Sequence, residues 1–400
     1  MSKKRKLIPA LRFPEFVNEG EWKEQTLEDV LDYERPDNYI VTDTNYQSKG
    51  TPVLTANKSF ILGYTNENFG IYNNLPTIIF DDFTVDSKFV DFPFKVKSSA
   101  IKILTPKKKD NLKFVYELIS QIKFDAKEHK RYYISEYQKL QLSFPSIKEQ
   151  KKIASCLSSL DEVIVAENQY LDLLKDHKKG LMQNLFPQEG KKVPKYRFKE
   201  FKNDGNWNLK EFSNYIKLYR GSSPRPIQNY LTQDKSGVNW IKIGDTKNAI
   251  NSIIYKVEEK ITLKGAQKSR KVKSGELILA NSMSFGKTYE LAIDGFIYDG
   301  WFVLREYENH YYKPFLLQLL NSDYMQRQYQ KLSAGGIVQN ISSEIVYKTM
   351  LFHTSLKEQQ KIASCLSYLD ALITAQTEKI EQLKLHKKGL MQGLFPKIND

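Results

Sequence analysis

The sequence contains few of the residues that build disulfide frameworks and metal centres. Its 400 residues include only two cysteines and five histidines. Cys156 and Cys365 each precede a leucine in helical sequence, which is typical of small thiols that face a core rather than of a disulfide. The histidines are scattered and form no zinc-binding spacing. We therefore expect no disulfide and no metal site.

The sequence also lacks long apolar runs. No stretch of about 18 apolar residues occurs, so no membrane span is predicted. The basic start, MSKKRK, is followed by an apolar segment that Pro9, Arg12 and Pro14 interrupt, which does not fit a signal peptide. A cytoplasmic location is the simplest expectation.

Familiar catalytic and cofactor motifs are missing or incomplete. The segment NSMSFGKT (residues 281–288) resembles a P-loop but has Asn281 where the first glycine is required. The segment FDDF (residues 80–83) offers two carboxylates without the third acid and lysine of a nuclease site. No glycine-rich loop suggests binding of a nucleotide or S-adenosylmethionine. We expect no catalytic activity and no cofactor in this chain, and we keep an enzyme that uses FGKT or FDDF as an alternative.

The composition instead shows an excess of positive charge. Lysine and arginine number 61 against 47 acidic residues, for a net charge of +14. Such a charge favours polyanionic partners because cations release counterions from phosphate backbones. A merely soluble basic surface is the alternative. The 40% hydrophobic content supports real cores, and the length predicts two to four domains.

Two parts of the sequence are repeated. Residues 148–187 recur as residues 357–396, and 26 of the 40 positions are identical. A weaker repeat opens each half, where PALRFPEF from Pro9 corresponds to PKYRFKEF from Pro194. This pattern predicts four segments, two diverged domains (1–145 and 188–354) each followed by a near-copy of one element (146–187 and 355–396).

The repeated element is predicted to be a long helix. Ser146 with Glu149, and Ser355 with Glu358, fit capping boxes. Apolar residues then recur at alternating steps of four and three, which is typical of a coiled-coil seam. We expect the two helices, each roughly 55 Å long, to pair with one another, and burial of each helix within its own domain is the alternative. The predicted seam residues are Ile153, Leu157, Leu160, Ile164, Leu171, Leu174, Ile362, Leu366, Leu369, Ile373, Ile380 and Leu383.

The two diverged domains are predicted to be mixed α/β. In the first domain, residues 77–83 and 99–106 fit strands and residues 111–124 fit a helix. In the second domain, three segments fit strands and a long apolar segment fits one helix. These segments are residues 238–245, 275–282, 300–307 and 314–332. The similar order of elements predicts one duplicated domain type.

Polar, basic and aromatic residues concentrate in loops of these domains. Arg, Lys, Asn and Gln match the edges of guanine and adenine in the major groove, and small hydroxyl groups suit phosphates. We therefore predict double-stranded DNA as a partner, although an ordinary solvated loop is the alternative for each single residue. The predicted DNA-contacting residues are Lys58, Lys88, Lys130, Arg131, Tyr132, Arg220, Ser222, Arg225, Lys242, Ser284, Lys287, Gln339 and Asn340.

Nearly the whole chain resembles the specificity subunits of type I restriction–modification enzymes. The resemblance rests on PSIKEQKKIASCLSSLDEVI and its second copy, on HKKGLMQ-x-LFP at the end of each helix, on the LRFPEF opening, and on IIFDDFTVDSKFVDFPF and GGIVQNIS. It implies two target-recognition domains held apart by two antiparallel coiled-coil helices with pseudo-twofold symmetry. Each domain would then recognise one half of a split, asymmetric DNA site.

The resemblance also implies the partners. Two adenine methyltransferase subunits, which carry S-adenosylmethionine, would dock on the helices, and a separate motor and nuclease subunit would join for cleavage. The subunit itself would be non-catalytic. One departure is Thr354, which stands where the first copy has Pro145 and predicts a less rigid entry to the second helix. A two-headed DNA-binding regulator that acts alone, and a bare scaffold, are the alternatives.

Overall fold

The chain folds into two units, and each unit combines one mixed domain with parts of both long helices. The structure is a computed structural model that describes residues 7–57, 59–107, 109–126, 128, 130–282, 286–333 and 341–397. Unit 1 comprises Met1–Glu167 and Ile380–Asp400, and unit 2 comprises Asn168–Lys379. Both long helices, α3 (Ile147–Leu185) and α8 (Leu356–Leu394), therefore contribute residues to each unit.

Unit 1 contains three small sheets. A four-stranded antiparallel sheet has the order β2-β8-β5-β6, a three-stranded sheet has the order β4-β3-β7, and β1 pairs with β9. The elements that precede α3 are β1 (Lys23–Thr26), α1 (Leu27–Val30), β2 (Leu31–Glu34), β3 (Thr51–Leu54), β4 (Ile61–Thr65), β5 (Thr77–Asp81), β6 (Ser87–Val90), β7 (Lys95–Val96), β8 (Ile101–Pro106), α2 (Leu112–Ile119) and β9 (Gln141–Phe144).

Unit 2 contains two five-stranded sheets and one strand pair. The sheet orders are β11-β20-β17-β18-β14 and β12-β15-β13-β19-β16, and β10 pairs with β21. The elements between α3 and α8 are β10 (Asn208–Glu211), β11 (Lys217–Arg220), β12 (Leu231–Thr232), β13 (Val238–Ile241), β14 (Ile253–Ile254), β15 (Glu259–Ile261), α4 (Leu263–Ala266), β16 (Arg270–Val272), β17 (Leu277–Ala280), β18 (Thr288–Leu291), β19 (Gly295–Ile297), β20 (Trp301–Arg305), α5 (Lys313–Leu320), α6 (Asp323–Ser333), α7 (Ser343–Tyr347) and β21 (Met350–His353).

The structure confirms the duplicated α/β architecture. In both domains the opening strand pairs antiparallel with the strand directly before the long helix, as Lys23 opposite Phe144 and Asn208 opposite His353. The predicted strands are present as β5, β8, β13, β17 and β20.

The prediction of a single helix over residues 314–332 is wrong, because the structure has two helices there, α5 and α6. Asn321 ends α5 and exchanges two hydrogen bonds with the backbone of Thr288, at 3.0 and 2.8 Å. Ser322 then accepts a hydrogen bond from the Met325 N–H at the start of α6. These polar contacts stop the first helix although the apolar pattern continues.

The end of each long helix carries an aromatic residue into the core of a mixed domain. In unit 1, Phe395 packs with Trp22 and Phe114 at ring-centroid distances of 6.2 and 5.3 Å. In unit 2, Phe186 packs with Phe315 at 5.4 Å. The repeated LFP motif is therefore a core element of both units. No helix in the described part of the chain is long and apolar enough to cross a membrane.

Candidate DNA interface and helix frame

A buried ion pair joins each domain opening to the following helix. The Arg12 guanidinium donates to both carboxylate oxygens of Glu149, at 2.8 and 2.7 Å, and Arg197 donates to Glu358 at 2.8 and 2.9 Å. All four side chains are almost fully buried. The two repeats in the sequence, the opening and the helix start, thus meet as one structural connection that is built twice.

The capping boxes are formed only in part. The hydroxyl oxygens of Ser146 and Ser355 accept from the N–H groups of Glu149 and Glu358, as predicted, at 3.4 and 3.3 Å. The glutamate carboxylates bind the arginines instead of closing the reciprocal half of the box. Thr354 donates its hydroxyl to the Glu358 carboxylate, a contact that Pro145 cannot make in the first copy.

The glutamine that follows each of these glutamates contacts the start of a helix in the mixed domain, which is α2 in unit 1 and α5 in unit 2. The Gln150 carbonyl oxygen accepts from the N–H of Asn111, the N-cap of α2, at 2.9 Å. The Gln359 carbonyl oxygen accepts from the N–H of Tyr312, the N-cap of α5, at 2.8 Å. Because both glutamines are buried, these contacts satisfy backbone groups that water cannot reach.

The segments of the two long helices run antiparallel within each unit. In unit 1 the early residue Ile153 shares a core with Leu394, and further along α3 Asp161 binds Lys387, at 2.7 Å. In unit 2 Leu185 shares a core with Ile362, and Lys178 binds Asp370, at 2.6 Å. The two ion pairs occupy equivalent positions of the repeat.

The predicted seam residues are all shielded from solvent to some degree. Their pairing across a continuous seam stays a prediction, because much of this burial also comes from the mixed domains. Buried are Ile153, Leu157, Leu171, Leu174, Ile362, Leu366, Leu369 and Ile380, and half-buried are Leu160, Ile164, Ile373 and Leu383.

Each unit has a groove beside its helix pair, with a volume of about 620 Å³ in unit 1 and about 460 Å³ in unit 2. The repeated helix segment lines both grooves with identical residues. In unit 1 these are Lys384, Lys387, Lys388, Met391 and Gln392, and in unit 2 Lys175, Lys178, Lys179, Met182 and Gln183. Acidic residues also line the grooves, Glu117 and Asp161 in unit 1 and Glu189 and Asp323 in unit 2. A groove that is lined by the same lysine-bearing helix surface therefore occurs twice in the chain.

Three neighbouring residues that are predicted to contact DNA in the first domain lie in different environments. Lys130 is exposed and lies between Glu128 and Glu136, at 3.0 and 2.9 Å. Arg131 is exposed, and its guanidinium lies 5.7 Å from the Phe83 ring. Tyr132 is only 2% exposed, and its hydroxyl bonds to the backbone of Glu128. Tyr132 therefore supports this loop from inside, a position that argues against direct DNA contact.

Two further residues, Lys88 and Lys58, are predicted to contact DNA in the first domain. Lys88 is half-buried on β6, where it lies opposite Ile79. Lys58 lies outside the described residues.

The carboxylates of FDDF have structural partners. Asp81 accepts from the N–H groups of Phe83 and Thr84, both at 3.0 Å, and so forms a turn. Asp82 lies 3.3 Å from the buried Lys102 ammonium and accepts from the N–H of Tyr133 at 2.8 Å. This pair fixes the loop that carries Arg131.

In the second domain, the Pro-rich loop after β11 is organised around Asp299. Arg225 is 81% exposed and lies 3.4 Å from the Asp299 carboxylate, to which Ser223 also donates. Arg220 is exposed and donates to the Asp299 backbone oxygen at 3.3 Å, and the exposed Ser222 donates to Lys268 O at 3.0 Å. Partial burial acts to raise the pKa of Asp299, but the Ser223 hydrogen bond and the arginine charges hold this pKa below its usual value.

The remaining predicted residues are less well placed or not described. Lys242 is half-buried and paired with Glu259. Lys287 is exposed, and strand β18 follows it directly, so FGKT lacks the helix N-terminus on which a P-loop depends. Ser284, Gln339 and Asn340 lie outside the described residues.

Sequence reasoning missed two arginines that contact one tyrosine ring beside this loop. The Arg270 guanidinium lies 5.6 Å from the Tyr219 ring centroid, and Arg305 lies 5.5 Å from the same ring. Lys268, nearby in the chain, donates to the Tyr230 hydroxyl at 2.6 Å. The signal in the sequence for these contacts was the basic run KSRKVK at residues 268–273, whose central part forms strand β16.

Comparison with known proteins decides the family. The family model for the type I restriction modification DNA specificity domain matches residues 19–176 and 186–385. The chain belongs to this family. The resemblance found in the sequence is therefore confirmed, and the two matches follow the internal duplication.

Several family members are similar over most of the chain. The Escherichia coli type I restriction enzyme EcoR124I/EcoR124II specificity subunit is 28% identical over 387 residues, with 92% of both chains covered. The Methanocaldococcus jannaschii MjaVIII specificity subunit is 24% identical over 274 residues and covers 65% of this chain and 62% of its own.

Solved structures show the same fold at low sequence identity. The S subunit of the type I restriction–modification system from M. genitalium has a TM-score of 0.60 at 15% identity, with 98% of this chain and 100% of that chain covered. A second structure, whose subject is complex assembly and conformational transition of a type I R-M system, has a TM-score of 0.60 at 14% identity and covers 94% and 97%.

Proposed function

We propose that this specificity subunit recognises a split DNA site, with one half read by each mixed domain, and that its helices present two docking surfaces to methyltransferase subunits. The observation that carries the proposal is the duplicated frame, in which one arginine–glutamate connection and one groove occur in both units. A frame that is built twice suits two copies of one partner.

The mixed domains support an asymmetric DNA site because they differ from one another, whereas the helix connections in the two units are the same. The first domain has sheets of four and three strands, whereas the second has two sheets of five. The exposed cations also differ, with Arg131 beside Phe83 in one domain and Arg220 and Arg225 beside Asp299 in the other. Different side chains on different loops would read different base edges.

The grooves support docking of a partner with acidic side chains. Each is lined by three lysines of the repeated segment, of which Lys175 and Lys179 in unit 2 and Lys384 and Lys388 in unit 1 are exposed. The partners would be two adenine methyltransferase subunits that carry S-adenosylmethionine, and a motor and nuclease subunit would join for cleavage. The lengths of α3 and α8 would set the spacer between the half-sites.

Methylation in cells tests the proposal. The chain is co-expressed with a methyltransferase subunit of the same system in a host without adenine methylation, and the genome is sequenced by a method sensitive to modified bases. Methyladenine confined to one split motif is expected. Association of the subunits without methylation would contradict DNA targeting. Specific DNA binding by the purified chain, without association, would favour a regulator that acts alone.

A further inference from the structure

We propose that Arg270 is a DNA phosphate contact of the second domain, held in place by Tyr219. This proposal rests on the proposed function and names a residue that acts in it. Arg270 lies at the start of β16 and Tyr219 on β11, and these strands belong to different five-stranded sheets of unit 2. The contact therefore lies where the two sheets meet.

Two contacts fix the Arg270 guanidinium. Its Nε donates to the Arg220 backbone oxygen at 2.5 Å, and the group lies 5.6 Å from the Tyr219 ring centroid. The ring is itself held, because the Tyr219 hydroxyl donates to Glu306 at 2.8 Å. A guanidinium that is held through Nε leaves its two terminal nitrogens to bind another acceptor, and it loses little entropy when it binds.

Of the two arginines that contact the Tyr219 ring, Arg270 is the one without an acidic partner within the described part of the chain. Arg305, which contacts the same ring, binds Glu276 at 2.7 Å. Arg225 lies 3.4 Å from Asp299. An uncompensated, preorganised guanidinium is suited to a bidentate contact with an anion.

The surroundings favour a phosphate over a base edge. Arg270 is half-buried and lies against a ring, so it does not project as a side chain must to enter a groove. The backbone oxygen of the exposed Lys268 accepts from the exposed Ser222 hydroxyl at 3.0 Å, and the Lys268 ammonium donates to the Tyr230 hydroxyl at 2.6 Å. Arginine, lysine and serine are common phosphate contacts, and such contacts fix the register of a protein on DNA.

Salt-dependent binding tests the assignment. Binding of the intact complex with methyltransferase subunits is measured between 50 and 200 mM salt. One duplex carries the motif that the methylation experiment identifies, and a second duplex of equal length lacks it. Arg270→Gln is expected to weaken binding to both duplexes by a similar factor, on the order of tenfold, and to reduce the log–log salt slope by about 0.9. Arg270→Lys should keep the slope and lose affinity severalfold, because a point charge replaces the fork.

A matched control separates the phosphate contact from general changes. The double variant Arg305→Gln with Glu276→Gln removes a guanidinium from the same ring at constant net charge and should bind as the wild type does. Unchanged affinity and slope in Arg270→Gln, wild-type affinity in Arg270→Lys, or a loss confined to the motif duplex at unchanged slope would each overturn the assignment. Failure of the wild-type complex to bind its motif would instead overturn the proposed function.

Discussion

Arg12 and Glu149 form a buried, bidentate ion pair across 137 residues of sequence, and Arg197 and Glu358 form the same pair in the second unit. The pair connects the start of a mixed domain to the helix that follows it. A carboxylate that is buried to this degree requires such a partner, because an unpaired charge in a core is strongly unfavourable.

Removal of either arginine should loosen one unit and leave the other unchanged. Arg12→Ala leaves Glu149 buried without its cation, which destabilises by about 3–5 kcal/mol. Hydrogen exchange followed by mass spectrometry should show faster exchange in residues 147–157 for Arg12→Ala and in residues 356–366 for Arg197→Ala. Each variant is the control for the other, and equal changes in both units would contradict the assignment of one connection to each unit.

Substitution of a seam leucine by aspartate should reduce stability most at the most deeply buried positions. Leu369 is buried and Leu160 is half-buried, so Leu369→Asp should lower stability by several kcal/mol and Leu160→Asp by less. Leu173 lies on the same type of helix but is 65% exposed, so Leu173→Asp serves as the control. Thermal melting and assembly with the methyltransferase provide the measurement, and unchanged melting of Leu369→Asp would refute the paired helices.

Acidic pH should weaken the β10–β21 strand pair through His353. Burial lowers the pKa of His353, and the neighbouring His310 and Lys210 lower it further. The His353 imidazole therefore binds a proton less readily in the folded state than in the unfolded state. The contribution of neutral His353 to the free energy of unfolding is fully present above the ordinary histidine pKa of about 6.5, and it is lost as the pH falls below that value. Urea unfolding at pH 5 and pH 8 measures the difference.

The repeat supplies the control for this pH effect. The position of His353 is occupied by Phe144 in the first domain, where it lies opposite Lys23 as His353 lies opposite Asn208. His353→Phe should therefore remove part of the loss of stability between pH 8 and pH 5. An identical loss in the wild type and in His353→Phe would place the responsible group elsewhere.

Local and periodic features of this fold could be predicted from the sequence, whereas long-range partners could not. The strands and the long helices follow from runs and periods that extend over a few turns. The capping box was only half right because the local rule did not include Arg12, which lies far away in the chain and outcompetes the backbone for the Glu149 carboxylate. The boundary between α5 and α6 was missed because Asn321 bonds to a distant strand.

The same distinction applies to the candidate site. Tyr132 occurs in a basic and aromatic segment, but its ring packs on Phe124 at 5.2 Å, and composition does not show which way a ring points. Arg270 was missed for the converse reason, since the role proposed for it depends on Tyr219, which lies in another sheet. Charge and side-chain type locate a DNA-binding surface only roughly, because the tertiary structure decides which cations are already neutralised.

The duplicated groove makes a prediction about stoichiometry. Lys179 and Lys388 occupy equivalent positions, are exposed and line one groove each. Reversal of one charge (Lys179→Glu or Lys388→Glu) should leave one groove intact, because each groove lies within its own unit. Native mass spectrometry of the complex should then show one bound methyltransferase subunit for each single variant and none for the double variant.

A surface lysine outside the grooves gives the control for this experiment. Lys151 is exposed on α3 and does not line either groove, so Lys151→Glu changes the net charge by the same amount and should retain two bound subunits. If the double variant Lys179→Glu with Lys388→Glu also retained two subunits, the grooves would not be the docking surfaces. If either single variant lost both subunits, the two grooves would act cooperatively rather than as independent copies, since independent sites lose affinity one at a time.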